Sequence, residues 1–479
     1  MSASLRRIAL VALFVVLALG AAHDLLRLGD GLPWRKMYDF QDFYCAGEAV
    51  ARGADPYRYE PLHACEHRVA NGTPAFAQHA DLVIPAPQPP YDFLPFALLA
   101  RLDFHASRTA YAIVLLLAVA GSVWALARTG IPADVGAVAF LLPVAYLELG
   151  AGQIVPFALL ALCCAGAALA ARRDALAGAC AALTAIEPHL GIPVIAAVVL
   201  FAARARLGAL LTVAALAAIS VAVTGAPTTW EYLVRVLPAH ASAELLFPYQ
   251  YGSSYALHAL GVPAGAAQAL GALAYLVLLA AGVWLAPRVA VALRRREMLA
   301  FVPAACAVTA APFLHMEELC FALPAALAFA IALRGTARTV SAVALCFLIV
   351  PWIMAWAIKK LFLLTILVCL YTLVRLGISP GAIALFVSSL AAVLYGLEFR
   401  SPNLPMPHAA AVTANPLDLA QIQWRAFTEQ LATRDPRWLL IKVPSWAALF
   451  ALIAVALRQA LTHARQHGAR LTASIRRTS

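Results

Sequence analysis

What most constrains this chain is a succession of long apolar runs, interrupted at some ends by arginine and at others by short polar, glycine or proline stretches. They read approximately as 8–26, 108–127, 132–149, 154–171, 174–187, 189–203, 206–224, 265–286, 297–313, 318–333, 338–358, 361–375, 378–397 and 439–459. An upright helix needs roughly 20 apolar residues to cross a bilayer core about 30 Å thick, and several runs fall short of that. The 174–187 and 189–203 pair is therefore either two short spans or one re-entrant hairpin. Hydrophobic residues make up 63% of the chain and charged residues 12%, well outside the range of soluble domains. The expected fold is an all-α, polytopic transmembrane helical bundle of about 12 to 14 spans.

The formal charge of +11 raises a nucleic-acid reading, and the placement of the basic residues argues against it. Arg128, Arg172 with Arg173, Arg204 with Arg206, Arg288 with Arg294 to Arg296, Arg334 with Arg338, and Arg375 all stand between spans. Threaded from a cytoplasmic N-terminus, these and the basic tail after Arg458 fall on the cytoplasmic side, as the positive-inside rule requires. No nucleic-acid partner is expected. The first apolar run could instead be a signal peptide cleaved near Ala18-Leu19-Gly20. Either way residues 27–107 emerge on the extracytoplasmic side.

The same threading gathers the unusual polar residues on that outer face. They are the 27–107 loop, Gly152-Gln153, Glu187-Pro188-His189, the 225–263 loop, His315 with Glu317 and Glu318, Lys359-Lys360, and the 399–438 loop. Polar groups at membrane depth are costly and mark functional cavities. The chain divides into a transmembrane catalytic region, 1–398, and a segment 399–479 comprising an outer loop, a last span and a basic tail.

Within the first outer loop, residues 39–57 read DFQDFYCAGEAVARGADPY. On helical spacing Asp39, Phe43, Ala46, Gly47 and Val50 share one face, while Gln41, Glu48 and Arg52 lie on others. This predicts an amphipathic helix of about four turns lying along the interface, stopped by Gly53 and Pro56. Asp39 and Asp42 are one turn apart, so both can face one cleft. A carboxylate in a partly desolvated pocket has the raised proton affinity a general base needs. The plainer reading is a solvated loop with an acidic first turn.

The remaining polar groups each admit a functional and a plain reading. The Gln153 amide can hold a sugar hydroxyl or simply occupy a hairpin turn. Glu187 and His189 flank a helix-breaking proline, as at a cavity, or are satisfied by a neighbouring helix. His315, Glu317 and Glu318 can act as base, donor or ligands. One histidine beside two adjacent glutamates is poor metal spacing, so no metal and no cofactor is expected. Lys359 and Lys360 can bind phosphate or snorkel at the interface. Nine cysteines include no CxxC pair. Cys45 and Cys65, in the outer loop, are open to a disulfide or to free packing thiols.

Taken together, the residues resemble glycosyltransferase family 87, the polyprenol-phosphate-mannose-dependent mannosyltransferases of the GT-C class. Asp39-Phe40, Phe43-Tyr44, Ala46-Gly47, Ala49, Gly53 and Asp55-Pro56-Tyr57 match a DFxxFYxAGxAxxxGxDPY pattern, and Pro89 to Pro95 is similar to a second motif. Gly152-Gln153 and Glu187 to Pro193 look like two further signatures, and Pro312 to Glu318 like another. Two positions depart from the pattern: Glu187 stands where the family usually has lysine, and Ala311 where it has serine. The likeness covers about residues 35–320.

This resemblance implies a GT-C bundle in the plasma or inner membrane, with a cavity on the extracytoplasmic side. It also implies a polyprenyl-phosphate sugar donor and a lipid or glycan acceptor. Asp39 corresponds to the catalytic carboxylate, with Asp42 as second choice. Tyr44, Gln153, Glu187, His189, His315, Glu317, Glu318, Lys359 and Lys360 are the expected substrate-binding residues. A transporter of lipids or solutes, which would show a symmetric pair of broken helices, and a non-catalytic scaffold of glycan assembly are the alternatives.

Overall fold

The computed structural model describes residues 37–69, 82–354, 362–400, 415–433 and 435–478, with isolated positions of the first apolar run. The chain is a helical polytopic bundle, with no strand among the described residues. Among the described residues, five helices are long and apolar enough to cross a membrane: Phe104–Arg128, Ala133–Ala151, Ala203–Glu244, Ala264–Leu293 and Val443–His463. Seven shorter apolar helices accompany them: Val155–Ala170, Asp174–Ile186, Pro188–Phe201, Met298–Ala310, Gly335–Ile349, Leu363–Arg375 and Pro380–Val393.

Burial follows from where each helix stands. Met298–Ala310 is buried along its whole length and packs between Ala264–Leu293, Pro188–Phe201 and Val443–Thr478. The Ala203–Glu244 and Ala264–Leu293 helices instead expose Leu207, Leu210, Leu211, Leu270, Leu273 and Leu276. So large an apolar surface is incompatible with water and is what a lipid face requires.

The loops that the positive-inside rule assigns to one side do meet at one end. Arg295 donates to the Thr129 carbonyl, Arg296 pairs with Asp174 at 2.9 Å, and Arg375 pairs with Asp134 at 2.6 Å. The helix pair Asp174–Ile186 and Pro188–Phe201 starts and finishes at this end, because Gly178 abuts the Ala205 carbonyl. At 1.5 Å per residue each arm reaches only about 20 Å, short of a hydrocarbon core of about 30 Å. The pair is therefore a hairpin whose tip, at Glu187, stops inside the bundle. Met298–Ala310 leaves the same end and is equally short, so the Ala311–Met316 turn stops at similar depth.

Over this sunken floor lie the outer elements. Tyr38–Ala51 is a helix as expected, but it is not a surface helix. Phe40 through Ala49 are all buried, so the amphipathic interfacial placement is corrected. Its faces are taken up by Phe96, Phe104 and Tyr111 on one side and by the Tyr59–Val69 helix on another. Gly47 permits this, since a Cβ there would stand 2.4 Å from the Phe96 backbone carbon. Gly53 ends the helix at φ 71, and the Gly53 and Ala54 N–H groups donate to the Val50 and Ala49 carbonyls, the Schellman arrangement that left-handed glycine makes possible.

The expected 225–263 loop is largely helical. Gly225, at φ 82 and ψ 158, kinks the chain, and the helix resumes to Glu244. The Ala420–Leu431 helix closes the cover: Tyr57 and Asp418 carbonyls accept from Ala420 and Tyr59 N–H groups. A disulfide joins Cys45 to Cys65 across a Cα–Cα distance of 5.5 Å, tying the first two outer helices together.

Candidate active site

The chamber between floor and cover is assembled from five separate stretches. Its first wall is set by irregular helix geometry. Residues Leu141–Glu148 form a π-helical segment, a wider turn that often accompanies function, and Gly152 follows at φ 80. A Cβ on Gly152 would stand 2.9 Å from Phe40 Cβ, so only glycine lets this turn press against the first outer helix. The consequence is that the Gln153 amide donates to Asp39 Oδ2 at 2.5 Å. Tyr111 donates from its hydroxyl to the Gln153 carbonyl at 3.1 Å, fixing the turn from behind.

Asp39 is half-buried. Loss of water, reinforced by the nearby Glu317 carboxylate, pushes its carboxyl up to about 7, against the opposing pull of His315 and the Gln153 amide. Asp42, one turn on, has a different setting. It is buried, and burial together with the Glu66 carboxylate holds it well above the ordinary range. Glu66 in turn accepts from the Ile84 N–H at 3.2 Å. Asp42 thus belongs to the packing of the outer loop, as does Tyr44, whose hydroxyl donates to the Leu102 carbonyl at 3.0 Å.

The hairpin tip and the Pro312–Glu318 turn supply the floor. His189 Nε2 lies 2.7 Å from Glu318 Oε1, and Glu187 Oε2 lies 3.9 Å from His189 Nδ1. Glu318 Oε2 accepts from the His315 N–H at 2.6 Å. The His315 ring stands 3.3 Å from Glu244 Oε2. Burial works against its imidazolium form, but the Glu244 carboxylate and its hydrogen bond, helped by Glu317 and Glu318, push the ring up to about 10. Gln250 braces this corner: Oε1 accepts from the Leu314 N–H at 2.6 Å and Nε2 donates to Glu244 Oε2 at 2.6 Å. Gln250 Nε2 also lies 2.7 Å from His315 Nε2, a contact suited to the neutral ring, whereas the charged ring turns its proton to Glu244.

The structure therefore brings Asp39, Gln153, Glu187, His189, His315, Glu317 and Glu318 into one neighbourhood. Lys359 and Lys360 lie outside the described residues. Several members of the chamber were not anticipated. Glu148, fully buried in an apolar span, interacts electrostatically with Glu317, Glu318, Glu187 and Asp39. A lone carboxylate in the run FLLPVAYLE was the signal that could have found it. Glu244 also accepts from Trp424 Nε1 at 2.6 Å. Outside this set, Lys442 is a buried lysine whose Nζ donates to the Pro248 carbonyl at 2.7 Å, 3.7 Å from the Tyr255 ring centroid.

Comparison with protein families places most of this chamber. Residues 88–316 match the model of glycosyltransferase family 87. This stretch is a glycosyltransferase family 87 domain. Comparison with curated proteins and with solved structures returned no match. The match indicates a membrane glycosyltransferase, with a sugar donor and an acceptor as its partners. The domain contains Gln153, Glu187, His189, Glu244 and His315. Asp39 and the disulfide precede it and reach it through the packing of the first outer helix.

Proposed function

We propose that the protein transfers a sugar, mannose in the first instance, from a polyprenyl-phosphate donor to an acceptor hydroxyl on the extracytoplasmic side of a GT-C bundle. The observation that carries this reading is the Asp39 carboxyl, held by the Gln153 amide at 2.5 Å with a proton affinity near neutrality. Such a group can accept the acceptor's hydroxyl proton while the acceptor oxygen attacks the anomeric carbon. The bond between that carbon and the phosphate oxygen breaks on the opposite face, so the configuration inverts and polyprenyl phosphate departs. His315, as imidazolium, offsets negative charge at the departing phosphate. Gln153 positions Asp39 and presents a carbonyl and amide near sugar hydroxyls.

Two further observations support the sidedness. The Cys45–Cys65 disulfide suits an oxidising compartment, and the arginine-bearing loops gather at the opposite end. The test is transfer of labelled sugar from a synthetic polyprenyl-phosphate donor by the purified protein in detergent. Asp39→Asn should lower the rate by about 10² to 10⁴ while elution profile and melting temperature stay close to wild type. A variant retaining most of the activity overturns the assignment.

A further inference from the structure

The floor of the chamber holds more negative charge than anything described around it offsets. Glu187, Glu318 and Glu148 are 8%, 5% and 0% exposed. Among the described residues neither lysine nor arginine pairs with any of them; the imidazole directly against them is His189, and the His315 ring, which acts on Glu187 and Glu318 as well, is already engaged by Glu244. Buried charges persist only when paired, protonated or coordinated to a metal. Two atoms also lack a satisfied direction. His189 Nε2 makes no aligned hydrogen bond despite standing 2.7 Å from Glu318 Oε1, and Glu148 Oε2 has none at all.

We propose that Glu187, His189 and Glu318 form a site for a divalent transition-metal ion, Mn²⁺ or Zn²⁺, at the tip of the re-entrant hairpin. One ligand atom from each lies within 4.8 Å of the other two. Ligands about 2.1 Å from a tetrahedral ion stand about 3.4 Å apart, so closure from spacings of up to 4.8 Å takes side-chain shifts on the order of an ångström. The donor set selects the metal: one imidazole tells against Mg²⁺ and Ca²⁺, which favour oxygen throughout, and two carboxylates against a soft ion.

The backbone holds the three residues ready. The His189 carbonyl accepts from the Tyr275 hydroxyl at 2.6 Å. The Glu187 carbonyl accepts from the Leu190 and Gly191 N–H groups at 3.0 and 2.8 Å. A Cβ on Gly191 would stand 2.4 Å from the Thr184 carbonyl oxygen, so the break is tightly seated. Glu318 Oε2 is engaged by the His315 N–H, which leaves Oε1 for the ion. Three protein ligands leave coordination positions open. Resting on the transferase reading, the ion at these positions would meet a phosphate oxygen of the lipid donor and neutralise it as the sugar departs.

The test separates binding from transfer. Purified full-length protein in detergent is stripped with chelator and titrated with Mn²⁺, the free ion being followed by electron paramagnetic resonance. One tight ion per chain is expected, with ¹⁴N modulation from an imidazole ligand in pulsed spectra. His189→Gln should abolish that modulation, and Glu318→Gln should weaken binding by at least about tenfold, since loss of even an outer-shell partner costs that much. Asp39→Asn should bind the ion as wild type does. No bound ion in the wild type, an ion without ¹⁴N coupling, or affinity unchanged in Glu318→Gln overturns the site, and the first two outcomes need no variant to fold. Metal binding without sugar transfer would leave the site standing and sink the proposed function. Transfer undiminished in metal-free enzyme would do the reverse for the ion's role.

Discussion

Asp39 offers a prediction whose size follows from its surroundings. An ordinary aspartate near 3.8 is ionised throughout the neutral range, so a rate that depends on it would be flat above about pH 5. With the carboxyl at about 7, the ionised fraction is about 9% at pH 6 and about 91% at pH 8, a roughly tenfold rise in kcat/KM over that window. The sign follows from the role: the base acts when deprotonated, so activity is gained as pH rises and lost below neutrality. Gln153 sharpens the test, because its amide stabilises the ionised form. Removing one hydrogen bond to a charged, half-exposed group should raise the midpoint by about one pH unit. The assay is initial transfer rate at subsaturating donor from pH 5.5 to 9 for wild type and Gln153→Ala. A flat wild-type profile, or a Gln153→Ala limb displaced to lower pH, would refute the electrostatic argument.

Three other outcomes follow from the same structure. Asp42→Asn should keep transfer within a few-fold of wild type and leave the melting temperature unchanged or higher, because Asp42 is a buried carboxyl beside Glu66 and losing one of two like buried charges relieves the other; near-complete loss of activity would make Asp42 the base. Gly152→Ala meets both a positive φ and a Cβ contact of 2.9 Å, so the Gln153 turn should shift, costing about 1–3 kcal/mol of stability and lowering kcat by about tenfold or more, read by thermal melting and transfer assay together. Cys45→Ser with Cys65→Ser releases the loop between residues 45 and 65, worth about 3 kcal/mol in chain entropy; protease sensitivity of the outer loop should rise in the double variant and in reduced wild type alike, and no change in either would show the bridge to be dispensable.

The apolar runs, the arginines between them and the proline and glycine breaks determined a helical membrane bundle with one basic and one polar end. Such features are local: hydropathy sets which segments enter lipid, and the positions of Arg128, Arg172, Arg296 and Arg375 set which loops lie together. Residue pattern also pointed to Asp39, Gln153, His189 and His315, because polar groups interrupting hydrocarbon are individually conspicuous. Depth and neighbourhood were not legible in that way. That the 174–201 pair is a hairpin stopping inside the bundle depends on arm lengths measured against its neighbours, and the burial of the first outer helix depends on Phe96, Phe104 and Tyr111 arriving from elsewhere in the chain. Glu148 and Glu244, single carboxylates in unremarkable stretches, acquire meaning only where long-range packing sets them against His315 and Glu318. Charge energies fall with distance and rise with desolvation, and both are properties of the assembled structure, so composition and spacing named most of the groups while tertiary contact decided which of them share one chamber.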